Sequence, residues 1–220
     1  MTQARSLPLV LICAALGTSM LRAGDFSSYR GMEFGASVTT AAKQAGRNVA
    51  EARTIHQRPA VIQEMDWQPR SSLATDPVKD GLLSFFNGEL FRIAVTYDRY
   101  KVEGMTAEDM IEAISATYGA ATRPTGEVSY HSIYGEVAPL IARWEDPQFS
   151  YNLVRTGDSF ALILYSKRLD DLAQAAIVEA IRLETQEAPQ RELEQQQKRD
   201  DVERLALEKA RSVNKPNFRP

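Results

Sequence analysis

The fold is decided by residues 85–97, FFNGELFRIAVTY, and by residues 154–165, VRTGDSFALILY. Each stretch is a run of strand-forming residues interrupted by a glycine turn, at Asn87-Gly88 and at Gly157. Asn-Gly is a strong hairpin signal because both turn positions must adopt positive φ. The second stretch is nearly continuous in apolar residues after Ser159, which is typical of a central strand. The sequence therefore predicts two antiparallel hairpins.

Alternation after the first turn predicts which side chains share a face of the sheet. One face is expected to carry Phe91, Ile93, Val95 and Tyr97, and the other to carry Arg92, Ala94 and Thr96. Further along the chain, Phe149, Tyr151 and Leu153 alternate with Ser150 and Asn152 in the same way.

A short amphipathic helix pattern precedes each hairpin. The first begins at Ser37 and stops at Gly46, and the second begins at Thr106 and stops at Gly119. Hydroxyl residues are favourable N-caps and glycine is a favourable stop, and Asp109 completes a capping box with Thr106. The two N-caps are as far apart as the two turn glycines. This spacing favours a duplicated unit, with chance similarity as the alternative.

Between helix and hairpin, each unit has a β-rich stretch with a tryptophan and a nearby proline, at Trp67 to Pro69 and at Trp144 to Pro147. Residues 70–77 and 120–135 are predicted loops. The predicted fold class is α+β, a two-layer sandwich built from two αβββ-like repeats over residues 24–168. Its sheet is antiparallel, with one face covered by helices, and residues 169–220 form a C-terminal helix and charged tail.

From Leu169 to Ile181, apolar residues recur every three or four positions, which predicts an amphipathic helix. Pro189 is expected to end it, because proline removes a backbone donor and disfavours helix in its predecessor. Residues 187–220 are charged on nearly all sides, and a solvated helix, a coiled coil that binds a partner or a disordered tail remain alternatives. The pairs Asp170-Asp171 and Asp200-Asp201 are predicted to lie on solvated faces.

Residues 7–21, LPLVLICAALGTSML, carry no charge. This run is shorter than the roughly 20 residues of a transmembrane helix but matches a secretory apolar region of about 7–15 residues. We predict a signal peptide over residues 1–23 and an exported protein, periplasmic or secreted, with an uncleaved anchor or a buried first helix as alternatives. Since Cys13 is the only cysteine, the exported chain would lack a thiol for a disulfide, a nucleophile or a metal site.

Charge and motifs exclude several function classes. The 26 Lys+Arg and 29 Asp+Glu give a net charge of −3, so no basic field is present to bind nucleic acid. The two histidines, His56 and His131, are far apart and belong to no recognised metal motif, so no metal or cofactor is predicted. The triplet Gly157-Asp158-Ser159 resembles the serine block of GDS-type esterases but lies in a predicted turn. No catalytic residue is therefore predicted.

Aromatic residues at matching positions of the two units are expected to pack in the core rather than line a ligand groove. These residues are Trp67, Trp144, Tyr97, Tyr165, Phe86 and Phe160. The rival hypothesis is a small-ligand carrier or an enzyme with dispersed site residues near His131, using Tyr130 and Tyr134.

The second unit, Gly104-Met105-Thr106 with Asp109-Met110 and a final Tyr118-Gly119, resembles the SmpA/OmlA class of small bacterial envelope proteins. In that class a helix of this pattern precedes a sheet, and members support outer-membrane protein assembly. The chain differs from the class in having two units, a long tail, and Ile12 rather than a small residue before Cys13.

Together these features predict an exported bacterial envelope protein that binds another protein without catalysing a reaction. The sheet surface or the C-terminal helix is the expected contact region. Oligomers could form through that helix, and neither nucleic acid nor a transmembrane span is expected for the mature chain.

Overall fold

The computed structural model describes residues 24–69, 76–126, 128–131, 137–217 and 219, without the side chain of His131. Residues 1–23, where we predict the signal peptide, lie outside the described residues. Tyr134 and most of the first predicted loop, residues 70–75, also lie outside them.

The elements follow one another as two similar runs and a final helix. In chain order they are β1 (Ser28–Tyr29), β2 (Met32–Glu33), α1 (Val38–Ala45), a 3-10 helix (Val49–Glu51), β3 (Arg53–His56), β4 (Ile62–Trp67), β5 (Val78–Phe86), β6 (Glu89–Tyr97), α2 (Ala107–Tyr118), β7 (Ser129–His131), β8 (Val137–Glu145), β9 (Phe149–Thr156), β10 (Ser159–Ser166) and α3 (Lys167–Asn217).

Strands β3 to β10 form one antiparallel sheet in the order β3-β4-β5-β6-β10-β9-β8-β7. Each run therefore contributes four consecutive strands. The last strands of the two runs, β6 and β10, pair with each other at the centre of the sheet. The small β1–β2 sheet precedes α1. This architecture confirms the predicted α+β class with an antiparallel sheet and a long C-terminal helix, and it places β10 centrally as expected.

Local capping fixes both short helices where the sequence predicts them. Ser37 accepts a hydrogen bond from the Thr40 backbone N–H, and Gly46 ends α1 in the left-handed conformation. Thr106 accepts from the Asp109 N–H, while the Asp109 carboxylate accepts from the Thr106 N–H at 2.7 Å. These contacts satisfy N–H groups that have no partner within the helix.

Both short helices cover the same side of the sheet, which we call the first face. The core there combines buried residues of α1 and α2 with the inward side chains of the central strands. Trp144 donates from Nε1 to Ser115 Oγ and to the Gly119 carbonyl, at 3.1 and 3.0 Å, which ties α2 to β8. Trp67, Trp144, Tyr97 and Phe160 are buried in this core, which confirms their predicted packing.

Each run has a fourth strand that the sequence pattern does not predict. β3 is mostly exposed and β7 has three residues, so neither shows the alternation of a half-buried strand. β7 lies within residues 120–135, and Thr122 also forms a bridge with Arg143. The prediction of a plain loop there was therefore wrong.

Phe91 lies on the opposite face from the one predicted. Ser84 pairs with Arg92 and Phe85 pairs with Leu90, so Phe91 is an extra residue on β6. Such a bulge interrupts the two-residue alternation. Phe91 consequently packs on the second face of the sheet, against α3.

Helix α3 runs through Pro189, so the predicted helix end there was wrong. Proline leaves the carbonyl of Thr185 without its helical donor, but Thr185 is exposed, so water can hydrate that carbonyl. Arg191 Nη2 also donates to the Glu184 carbonyl at 2.8 Å. These compensations allow the helix to continue to Asn217.

Candidate functional site

The second face of the sheet, opposite α1 and α2, is divided into two halves. The beginning of α3 covers β4, β5 and β6. There Leu169, Ala173 and Ile177 form a buried cluster with Ile62 and Phe91. This adds a third layer to the predicted sandwich over the first run of strands.

A buried ion pair fixes α3 to this half. Asp170 is 2% exposed, and its carboxylate accepts from Arg92 Nε at 3.0 Å and from the Gln174 side chain. Burial raises the pKa of Asp170, while the Arg92 guanidinium acts in the opposite direction. Asp170 is therefore not on a solvated face as predicted, whereas Asp171 is exposed.

Further along α3, one contact with the end of β3 and one with the β3–β4 connection hold the helix. His56 Nδ1 lies 2.9 Å from Glu184 Oε1, and Arg58 Nη2 lies 2.7 Å from Glu187 Oε2. The hydrogen bond from Arg58 lowers the pKa of Glu187. We call residues 167–187 the docked half of α3 and residues 188–217 the distal helix.

The other half of the second face, over β7 to β10 and the adjoining part of β6, forms an open groove of about 440 Å³. A buried apolar cluster of Leu140, Val154 and Ala161 lies at this end of the sheet, flanked by Tyr130 and Ile163. The groove lining consists mainly of small or apolar residues with threonines: Ala94, Val95, Thr96, Tyr130, Val137, Ala138, Pro139, Val154, Arg155, Thr156, Gly157, Ala161 and Ile163.

The lining of the groove is suited to apolar contact. Its described lining residues include no carboxylate and no histidine, the side chains that serve most often as general acids and bases. Arg155 stacks over Phe160, with its guanidinium carbon 4.7 Å from the ring centroid. Since Phe160 belongs to the first-face core, the Arg155 charge lies on the other side of the strand from the groove floor.

Of the residues of the rival hypothesis, the structure places Tyr130 and His131 on an edge strand of the sheet, while Tyr134 lies outside the described residues. Tyr130 and His131 belong to β7, and Tyr130 contributes to the groove wall. Gly157-Asp158-Ser159 spans the β9–β10 turn, as the hairpin pattern predicts. Phe86 packs against the docked half of α3, and Tyr165 pairs with Arg92 across the sheet.

Sequence reasoning missed the docking of α3, for which the chain holds one local signal. Arg92 is the single charged residue in the run from Leu90 to Tyr97. A buried arginine requires an anionic partner, but nothing in the local sequence identifies that partner as Asp170.

Within the described ranges, no group of three or more His, Cys, Asp or Glu side chains could hold a metal ion. A search of the same residues found no helix that is both long and apolar enough to span a membrane.

Comparison with family models, with curated proteins and with solved structures found no match to this chain.

Proposed function

We propose that this chain is a non-catalytic protein-interaction module of a bacterial envelope, and that the groove over β7 to β10 is its binding surface. The observation that carries the proposal is the unequal cover of the second face. One half is buried under a helix, and the other half presents an apolar surface that no described element covers. Uncovered apolar surface on a folded protein is a frequent sign of a binding site.

The shape of the groove also suits a single segment of a partner protein. Small residues such as Ala94, Ala138 and Ala161 allow a helical or extended segment to approach the sheet closely. Since the described lining holds no carboxylate and no histidine, binding is a better supported role than catalysis.

Export and envelope location rest on the sequence of residues 1–23 and on the resemblance of residues 104–119 to SmpA/OmlA-type proteins. Cell fractionation with N-terminal sequencing of the purified protein tests this part. We expect an envelope fraction and a new N-terminus near residue 24, and a cytoplasmic protein that still begins at Met1 would contradict it.

In-cell photo-crosslinking tests the binding surface. A photoreactive residue is placed at Thr96, within the groove, and in a matched control at Glu112, an exposed position on α2. We expect a protein adduct from Thr96 that is absent from Glu112, and its loss when Ala138 is changed to Asp. An absence of Thr96 adducts, or equal labelling from both positions, would overturn the proposal.

A small-ligand carrier is the second candidate, favoured by the volume of the groove. About 440 Å³ lies within the roughly 300–1,000 Å³ typical of small-molecule sites. Native mass spectrometry of the purified chain would show a bound mass that is released by organic solvent. We expect the apo mass for an interaction module.

A further inference from the structure

The groove is the counterpart of the surface that α3 already covers. The strand order places β4, β5 and β6 on one side of the central β6–β10 pair and β8, β9 and β10 on the other. The docked half of α3 lies over the first set, and the groove lies over the second set together with Tyr130 of β7 and the end of β6 at Thr96. A helix is therefore the element that the fold itself uses to cover this face.

The two seats both present apolar sheet residues to a helix. Under the docked half, Ile62, Phe86 and Phe91 of the sheet meet Leu169, Ala173 and Ile177 of the helix. In the groove the sheet contributes three alanines beside the larger Tyr130, Val154 and Ile163. Because close packing of such a surface requires apolar side chains from the covering element, a helix seated in the groove needs an apolar face toward the sheet.

The distal helix carries such side chains, and they are exposed. Val202, Leu205 and Val213 are 68%, 59% and 57% exposed. With Ala206 and Ala210 they follow the spacing of one helical face. Leu193 precedes Val202 by nine residues and so lies about half a turn away, on the opposite side of the helix.

The distal helix of one molecule cannot fill the groove of the same molecule. Every residue from Pro189 to Asn217 is exposed, and α3 continues without a break away from the Arg58–Glu187 contact. At about 1.5 Å per residue, residues 188–217 extend about 45 Å. This length is sufficient to reach across a neighbouring protein.

We propose that the groove receives residues 202–213 of α3 from a second copy of this chain. The proposal rests on the groove being a protein-binding surface and names its occupant. Reciprocal exchange of two distal helices would form a closed two-fold dimer, in which the same two surfaces of each copy are buried.

Photo-crosslinking between labelled copies tests this directly. A photoreactive residue at Leu205 in the unlabelled full chain is mixed with ¹⁵N-labelled wild-type chain, and adducts are mapped by mass spectrometry. We expect adducts with labelled peptides of residues 137–140 or 154–163. The matched control carries the photoreactive residue at Leu193, also an exposed leucine, and should give few. Adducts confined to other surfaces, or none, would overturn the proposal.

Sedimentation over a range of concentrations provides the second test. We expect the mass to rise from one chain toward two, and Val202→Glu or Leu205→Glu to weaken this association by about tenfold or more. Leu193→Glu should leave it unchanged. Since these positions are exposed in the single chain, circular dichroism should show that all three variants fold.

The outcomes separate this inference from the proposed function. A chain that remains monomeric, while Thr96 crosslinks to a different envelope protein, would overturn the self-docking proposal and support the interaction module. A dimer that persists in Leu205→Glu and Val202→Glu would place self-association on another surface and also overturn it. The absence of any adduct from Thr96 would count against both.

Discussion

At the scale of single residues, the pair of Asp170 and Arg92 connects α3 to the sheet. Both side chains are buried, and replacing one leaves the other as an uncompensated charge. We expect Asp170→Ala to lower the free energy of unfolding by about 3–5 kcal/mol, measured by urea denaturation. The control is Asp171→Ala, an exposed neighbour, which should change it by no more than about 0.5 kcal/mol. Equal effects of the two substitutions would contradict this role.

Position 81 requires glycine because neighbouring atoms leave no space for a Cβ, and not because of its backbone conformation. A Cβ there would lie 2.6 Å from Trp67 Cε3 and 3.0 Å from the Ala94 carbonyl oxygen. We expect Gly81→Ala to destabilise the fold by about 1–3 kcal/mol through overpacking and to shift Trp67 fluorescence. Lys79→Ala, at an exposed position of the same strand, is the control. A denaturation midpoint unchanged from the wild type would show that the indole ring can move aside.

Residue-scale roles were predictable where the pattern is regular. The burial of Trp67 and Trp144 follows from their places on alternating strands. The face of Phe91 does not, because the bulge at Phe91 is visible only in the pairing of β5 with β6.

At the scale of elements, local hydrogen bonds set where the helices begin. Thr106→Ala removes the hydroxyl that accepts the Asp109 N–H, and we expect a loss of about 1 kcal/mol by urea denaturation. Thr117→Ala, at an exposed position of the same helix, should leave stability within about 0.5 kcal/mol.

The same substitution has an independent readout. Hydrogen bonds from the Thr106 backbone and side chain lower the pKa of Asp109. In Thr106→Ala only the backbone donor remains, so a carboxyl NMR titration should show this pKa moving upward. Because the pKa of Asp109 is lowered in the folded state, its carboxylate stabilises the fold at pH values above the ordinary aspartate pKa. That stability is lost as the pH falls through the lowered pKa. An unchanged pKa would show that the backbone donor alone lowers it.

The helices and central strands were predictable because they depend on interactions within a few residues. The caps at Ser37 and Thr106 and the Asn87-Gly88 turn all fall where the pattern indicates. Pro189 misled the prediction because a single local rule was applied to a helix that extends through it. β3 and β7 were missed because short exposed strands carry no periodic signal.

At the scale of the whole molecule, the contact of Arg58 with Glu187 lies at the end of the docked half of α3. The hydrogen bond from Arg58 lowers the pKa of Glu187. This contact therefore stabilises the fold at pH values above the ordinary glutamate pKa of about 4.3. That contribution is lost as pH falls through the lowered pKa.

We therefore expect Arg58→Ala to raise the pKa of Glu187 toward its ordinary value in a carboxyl NMR titration, and to reduce the acid sensitivity of α3 docking. The control is Arg182→Ala. Arg182 lowers the pKa of Glu179 within the same helix, so this variant should move Glu179 and leave Glu187 unchanged. A Glu187 titration that is the same in Arg58→Ala and wild type would show that the contact is not formed in solution.

The sequence by itself determined the α+β class, the two short helices, the central hairpins and the cores of the strands. These follow from caps, turns and periodic burial, which act between residues close in the chain. Only the tertiary structure decided that α3 covers half of the second face and leaves a groove on the other half. That arrangement depends on pairs such as Arg92 with Asp170 and His56 with Glu184, which are distant in sequence. No local pattern links such partners, because their energy arises only when the folded sheet brings them together.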